Sequence, residues 1–573
     1  MLQNYPLPTM PTSLSIKLIK PSASEYAALT LIGVTMAAGA ALANKSVALP
    51  QILFIAIWLS VLILLSLALT RYVDSAWKSG NLPAKIFAIF SLLIVFFSAV
   101  KPTSTGFSRH DEIYSWGMWA VQHALGQSID LHYTGAAYPQ LFSYEISSIF
   151  LAQGTHIPHF FAKLIVGLPS LIIIIVLGDF TARSQKSWIN WSTLFLSLSA
   201  IFSIFSLLYW AYADQLASAL LLTSLALLLQ YSQGPKHFHL IVLASLCALA
   251  ASLTKQPGLV WCFVSLPAMG LYGVWRLGWK KSILAPCLSA MIFAAIWPFY
   301  LAPTFTSNHG VLEIVKNNGG VIASFIKSSF SYIFKNPDLG LILISPLIFA
   351  CKNKPIRHLW VFFVLPYLLI WFIFGSYEKR HGIHVILISA LLVNYALTQG
   401  QQIKNANFNI PEQKILRLNA WLPWASLCLI TSSILWAYIQ NSDRLRDGNR
   451  AIFISQFGDD SVNIFDDITT NRLPIFVASN YQYGIFFNRT TIHRFDAWDN
   501  EVSAARLKKF LISSQSAYIF TSGNWTFGPY EKKIEELLKK CPSSFQLSKN
   551  SAAEPQLSIY KIHQPSLSKL CNL

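Results

Sequence analysis

Residues 51–70 read QILFIAIWLSVLILLSLALT, without one charged side chain. A helix needs about 20 such residues to cross the hydrocarbon of a bilayer. Runs of this kind recur along the chain, separated by short charged segments. Only 12% of the 573 residues are charged and 54% are apolar, with a mean hydropathy of +0.47. A soluble domain carries roughly 25% charged residues. The pattern therefore excludes a soluble enzyme, a disordered chain and a secreted disulfide scaffold. It also excludes an outer-membrane barrel, whose strands alternate in polarity.

Run length and flanking charge place about thirteen spanning helices. They fall near 27–43, 50–70, 84–100, 158–178, 191–210, 212–230, 238–254, 258–275, 283–302, 338–351, 357–375, 383–398 and 418–439. The balance of 43 Lys and Arg against 25 Asp and Glu gives a net charge of +18. Most of these cations sit at the ends of apolar runs, where they set orientation and do not serve nucleic acid. With the N-terminus in the cytoplasm, every loop on that side is basic, for example Arg71, Lys78 and Lys85, or Arg276, Lys280 and Lys281. The chain thus reads as a multi-pass protein of the plasma (inner) membrane in contact with its lipids.

Three segments then lie outside. The first, 101–157, includes an amphipathic stretch at 113–125 with Trp116 and Trp119, suited to lying flat on the membrane. The second is 303–337. The third, 441–573, has the texture of a small soluble α/β domain, with strands at 474–479 and 517–522 and helices at 502–514 and 530–540. The expected organisation is 1–83, an N-terminal segment with two helices; 84–440, a transmembrane catalytic module; and 441–573, an extracytoplasmic domain. Of seven cysteines, Cys541 and Cys571 lie in this last segment, where pairing is chemically allowed but not fixed by the sequence.

Polar residues at the outer ends of the helices are the candidates for chemistry. Asp111 and Glu112 directly follow a spanning helix. Such a carboxylate can take a proton from an attacking hydroxyl, or simply cap a helix start. Tyr138-Pro139 precedes an apolar run and reads as a helix opening with Pro in its first turn, or as an interfacial anchor. Asp214 in Tyr212-Ala213-Asp214 either caps a helix or faces a cavity. Lys255, in Thr254-Lys255-Gln256-Pro257-Gly258, runs against the positive-inside trend, as do Lys379, Arg380 and His381 after Ser376-Tyr377-Glu378. Cations so placed can hold a phosphate, or snorkel to lipid headgroups. The first outer loop also holds His110, His123, His132, His156 and His159. No pair has ligand spacing with a third ligand nearby, so a divalent metal is the minor reading and no cofactor is implied.

Taken in order, these features resemble the GT-C superfamily of polytopic membrane glycosyltransferases. The features are an acid after an early helix, Tyr-Pro before a helix, Tyr-Ala-Asp, Leu-x-Lys-x-x-Gly at 253–258 and Tyr-x-x-Arg at 377–380. The nearest branch includes protein O-mannosyltransferases and the lipid A aminoarabinose transferase. The resemblance covers about 84–400. It implies a sugar donor carried on a polyprenyl phosphate and inverting transfer to an acceptor on the outer face. Carried over, Asp111 is the base, supported by Glu112. Lys255, Arg380 and His381 hold the phosphate. Tyr138, Asp214, Tyr377 and Trp116 shape the substrate site. Two departures stand out: two extra helices precede the module, which should be peripheral, and His381 stands where Tyr or Asn often follows the Arg.

The chemistry is coherent without the family. A prenyl phosphate is a good leaving group, so the reaction needs cations at the departing phosphate and one base across the sugar. No Gly-rich nucleotide loop is present, in keeping with a donor that is not a nucleotide sugar. Two alternatives are a lipid-linked glycan ligase or polymerase, and a secondary transporter. A transporter would show paired inverted halves, which the sequence lacks.

Overall fold

The computed structural model describes residues 21–79, 81–105, 116–126, 139–154, 160–181, 187–204, 212–233, 237–301, 319–327, 360–374, 382–399, 450, 453–454, 457–477, 492–493, 503–522, 529–550, 557–569 and 571. It is a helical bundle followed by a small α/β unit. The helices are α1 (Ala23–Ala43), α2 (Gln51–Lys78), α3 (Leu82–Thr105), α4 (Met118–Ala124), α5 (Leu141–Gln153), α6 (Phe160–Thr181) and α7 (Ser187–Ile204). They continue with α8 (Ala213–Gln233), α9 (Phe238–Thr254), α10 (Gln256–Arg276), α11 (Leu284–Leu301), α12 (Leu365–Phe374) and α13 (Ile383–Gln399). Every expected span has its helix except 338–351 and 418–439, which lie outside the described residues. Among the described residues, α1, α2, α8 and α10 carry windows long and apolar enough to cross a membrane. Large apolar side chains point outward from the bundle: Phe195 is 75% exposed and Phe293 59%. In water these would be liabilities; in lipid they face a solvent of their own kind.

Polar contacts between distant residues fix the helix directions. Ser24 donates to Asp179 Oδ2 at 2.8 Å, and Gln230 reaches the same oxygen at 3.3 Å. His239 Nε2 lies 2.8 Å from Glu25 Oε1, and Ser232 Oγ lies 2.9 Å from the Tyr395 hydroxyl. These contacts gather the starts of α1 and α9 with the finishes of α6, α8 and α13 at one end of the bundle. The Tyr72 hydroxyl lies 3.4 Å from Ser91 Oγ, and its ring covers Gly178, so α3 also starts at this end. The opposite end therefore collects the finishes of α1, α3 and α9 and the starts of α6, α8 and α13.

Helix α1 begins with a Ser22–Glu25 capping box and packs against α2, α5, α6, α8 and α9. It presents Ala27, Ala28, Ala37, Ala38 and Ala41 to its neighbours, small side chains that let backbones approach closely. Helix α1 is thus central to the bundle. The expected membrane-surface helix differs. Trp116 and Trp119 are buried, because α4 packs its aromatic side on α5.

The α/β unit contains α14 (Val462–Asn471), β1 (Ile475–Val477), β2 (Ile492–His493), α15 (Ala504–Ser513), β3 (Tyr518–Ser522), α16 (Pro529–Lys540), β4 (Phe545–Asn550), β5 (Leu557–Ile562) and α17 (Gln564–Lys569). The sheet order is β2-β1-β3-β5-β4, with β1 parallel to β2 and β3, and β5 antiparallel to β3 and β4. Strand alternation sends Phe476 and Ile519 to the α15–α16 face, and Ile475, Tyr518 and Phe520 to the face bearing α14. Cys541 and Cys571 form a disulfide, with Cα atoms 5.2 Å apart, at the edge of the first of these cores.

Candidate active site

The second end of the bundle holds a buried ion pair. Lys255 Nζ donates to Asp214 Oδ1, and the two side chains are only 10% and 8% exposed. Asp214 lies in the first turn of α8, where the positive end of the helix dipole favours a carboxylate. Its own backbone carbonyl accepts from Ser218 at 2.6 Å.

Lys255 occupies a turn of a single residue. Its backbone is extended (φ −160°, ψ 158°); it ends α9 and caps α10 at once. The Lys255 N–H donates to Ala251 O, and the Gly258 N–H donates back to Lys255 O, each at 3.0 Å. Pro257 fits the first turn of α10, where no helical N–H is lost. Gly258 is required by proximity: a Cβ there would lie 2.1 Å from the Ala251 carbonyl carbon. The sequence Lys-x-Pro-Gly thus folds α10 back onto the last turn of α9 and directs the lysine inward to Asp214.

Short helices surround the same end. Gln140 caps α5, so Pro139 precedes the helix and does not enter its first turn. Trp116 packs edge-on to Trp119 at 5.2 Å and to Phe142 at 5.6 Å, within the core. His123 stacks on Tyr144 with ring centroids 3.8 Å apart. Burial, with the nearby Lys45 charge, holds His123 down at about 3, so the imidazole is neutral. Asp111, Glu112, Tyr138, Tyr377, Arg380 and His381 lie outside the described residues, as do His110, His132, His156 and His159. The helix ends joined to those segments, the finish of α3 and the starts of α5 and α13, are described. Of the residues singled out in the sequence, the structure brings Lys255 and Asp214 into contact and sets Trp116 in the aromatic packing of α4 and α5.

Glu145 was not apparent as a candidate. It is 1% exposed, and neither carboxyl oxygen has a hydrogen-bond partner among the described residues. Its signal was present: one acid inside LFSYEISSIFLA, an otherwise uncharged apolar run.

No family model matches the chain, and no curated protein matches it. Solved structures similar to it include two of one protein. One is a crystal structure of ArnT from Cupriavidus metallidurans bound to undecaprenyl phosphate: 14% identity, TM-score 0.46, covering 85% of this chain and 98% of that one. The other is ArnT from the same organism in the apo state: 14% identity, TM-score 0.43, covering 84% and 98%.

Proposed function

We propose that the chain is a membrane glycosyltransferase that moves a sugar from a polyprenyl-phosphate donor to an acceptor hydroxyl on the outer face, with inversion. The observation that carries this reading is the buried Lys255–Asp214 pair at the second end of the bundle. The segments holding Asp111 and Arg380 are joined to helix ends there. A lysine fixed by a one-residue turn is a cation already in place, so it can stabilise charge on a departing phosphate without reorganising. Asp214 holds it in place; in this reading Asp214 is a positioning residue for Lys255 more than a contact to sugar. The pair is neutral as a unit, so a phosphate needs further cations, and Arg380 and His381 supply them. In this reading Tyr138 and Tyr377 contact substrate, and Trp116, buried against Trp119 and Phe142, supports the site from within the core.

The acceptor oxygen bonds to the anomeric carbon, the bond from that carbon to the phosphate oxygen breaks, and the acceptor proton passes to Asp111, with Glu112 beside it. The prenyl phosphate leaves with the electron pair. The step as written draws on no cofactor. The outer side is also the oxidising side, which suits the Cys541–Cys571 disulfide in the C-terminal unit.

The test uses purified protein in detergent with a polyprenyl-phosphate monosaccharide, following release of prenyl phosphate. Asp111→Asn should abolish release while donor binding persists. Near wild-type release from that variant, or no release from the wild type with any such donor, would overturn the reading.

A further inference from the structure

The mechanism leaves Glu145 without a task, yet its placement is costly. Helix α5 is enclosed by α1, α2 and α4, with further contacts to α6 and α9. Three polar contacts seat it. Gln51 donates to Ala152 O at 2.8 Å, Trp58 Nε1 donates to Ser148 Oγ at 3.1 Å, and His123 stacks on Tyr144. Glu145 lies between these contacts, among Phe142, Ile146 and Ile149 of the core. A buried carboxylate without a partner is far more expensive than a neutral carboxylic acid in the same place.

No compensating charge pairs with it among the described residues. Helix α4 offers His123, which is neutral; the turn after α1 offers Lys45, whose ammonium lies 5.3 Å from the Tyr144 ring centroid. Glu25 of α1, Asp74 of α2 and Asp179 of α6 belong to the opposite end of the bundle. Lys255, after α9, is engaged by Asp214. The adjacent Tyr144 is the remaining titratable neighbour, and burial raises it.

We propose that Glu145 is a proton-operated latch: as the neutral acid it lets α5 stay seated between α1, α2 and α4, and loss of the proton to solvent loosens α5. Burial pushes this carboxyl up to about 8 from an ordinary 4.5. An acid raised in the seated state costs nothing at low pH, where it is protonated whether α5 is seated or free. The cost grows as pH rises above the ordinary value and is complete above about 8. Helix α5 directly follows Tyr138 and Pro139, so loosening it would disturb the transferase site. That consequence rests on the glycosyl-transfer reading; the latch does not.

Hydrogen–deuterium exchange over 141–153, corrected for intrinsic rate, tests it on the full chain in nanodiscs between pH 6 and pH 9. Wild-type protection should fall by about tenfold or more across this range, and Glu145→Gln should hold it constant. Constant protection in the wild type overturns the proposal, as does a parallel fall in both proteins. If the variant fails to fold, the wild-type profile decides alone. Prenyl-phosphate release measured on the same samples separates the two hypotheses: a pH-independent α5 in an active transferase removes only the latch, and a pH-dependent α5 in an inactive protein removes only the transferase.

Discussion

At the residue scale the buried pair dominates. Removing either partner takes a buried, charge-assisted contact from the other, at a typical cost of about 3–5 kcal/mol. Lys255→Ala and Asp214→Ala should each lower the melting temperature in detergent. The double variant should lose clearly less than the sum of the two, because both single changes remove the same contact; strict additivity would dissolve the pair as an energetic unit. A second residue-scale prediction concerns His123. Its folded-state value of about 3 lies below the ordinary 6.5. The unfolded chain therefore binds the extra proton first: stability is full above about 6.5 and falls as pH drops from there towards 3. His123→Phe, which keeps a ring on Tyr144, should flatten that acid limb in pH-dependent melting curves. Lys255 and Asp214 were legible as anomalies, a cation and an acid where apolar helices meet. Their union was not, because pairing residues 214 and 255 is a fact about how α8, α9 and α10 pack. Glu145 escaped because one acid in an apolar run looks like tolerated noise until its surroundings are known.

At the element scale, the turn between α9 and α10 shows how far local rules reach. Its bounds were readable from Thr254 to Gly258 because Pro and Gly punctuate an otherwise unbroken apolar stretch. The reason for the glycine was not readable, since the backbone it touches lies a turn earlier. Gly258→Ala should cost at least the 1–3 kcal/mol of ordinary overpacking, as the contact is with backbone that cannot rotate away. A melting temperature equal to wild type would show that α10 can slide off α9 freely. In the α/β unit the sequence pattern located α15, α16, β1 and β3. It passed over β4 and β5, although Leu557, Ile559 and Lys561 alternate with Ser558, Tyr560 and Ile562; a lysine on one face and a tyrosine and isoleucine on the other blur the two-residue period. The depth of α1 was invisible for a related reason: an alanine-rich helix has almost no polar face to contrast with its packed one.

At the scale of the whole molecule, sidedness is the property to measure. Ala505 is exposed on α15, and Lys280 is exposed between α10 and α11. With a cysteine at each in turn, an impermeant maleimide should label position 505 in intact cells and reach 280 only after permeabilisation. The described free cysteines, Cys247, Cys262 and Cys287, are buried and should stay silent. The reverse pattern would invert the topology. Reduction offers a second check: the Cys541–Cys571 bridge closes a separation of 30 residues, for which chain entropy gives roughly 3–4 kcal/mol. Cys541→Ser should therefore loosen the C-terminal unit while the bundle keeps its helicity by circular dichroism.

The central position of α1 also has a bearing on biogenesis. This helix is made well before one of its partners: Glu25 meets His239, a separation of 214 positions. At roughly 5–20 residues per second, synthesis must continue on the order of ten seconds or more before α9 exists to receive it. During that interval an alanine-rich hairpin waits in the bilayer with its packing surface facing lipid or the insertion machinery. A cell that makes this protein must shelter α1 until α9 has been translated.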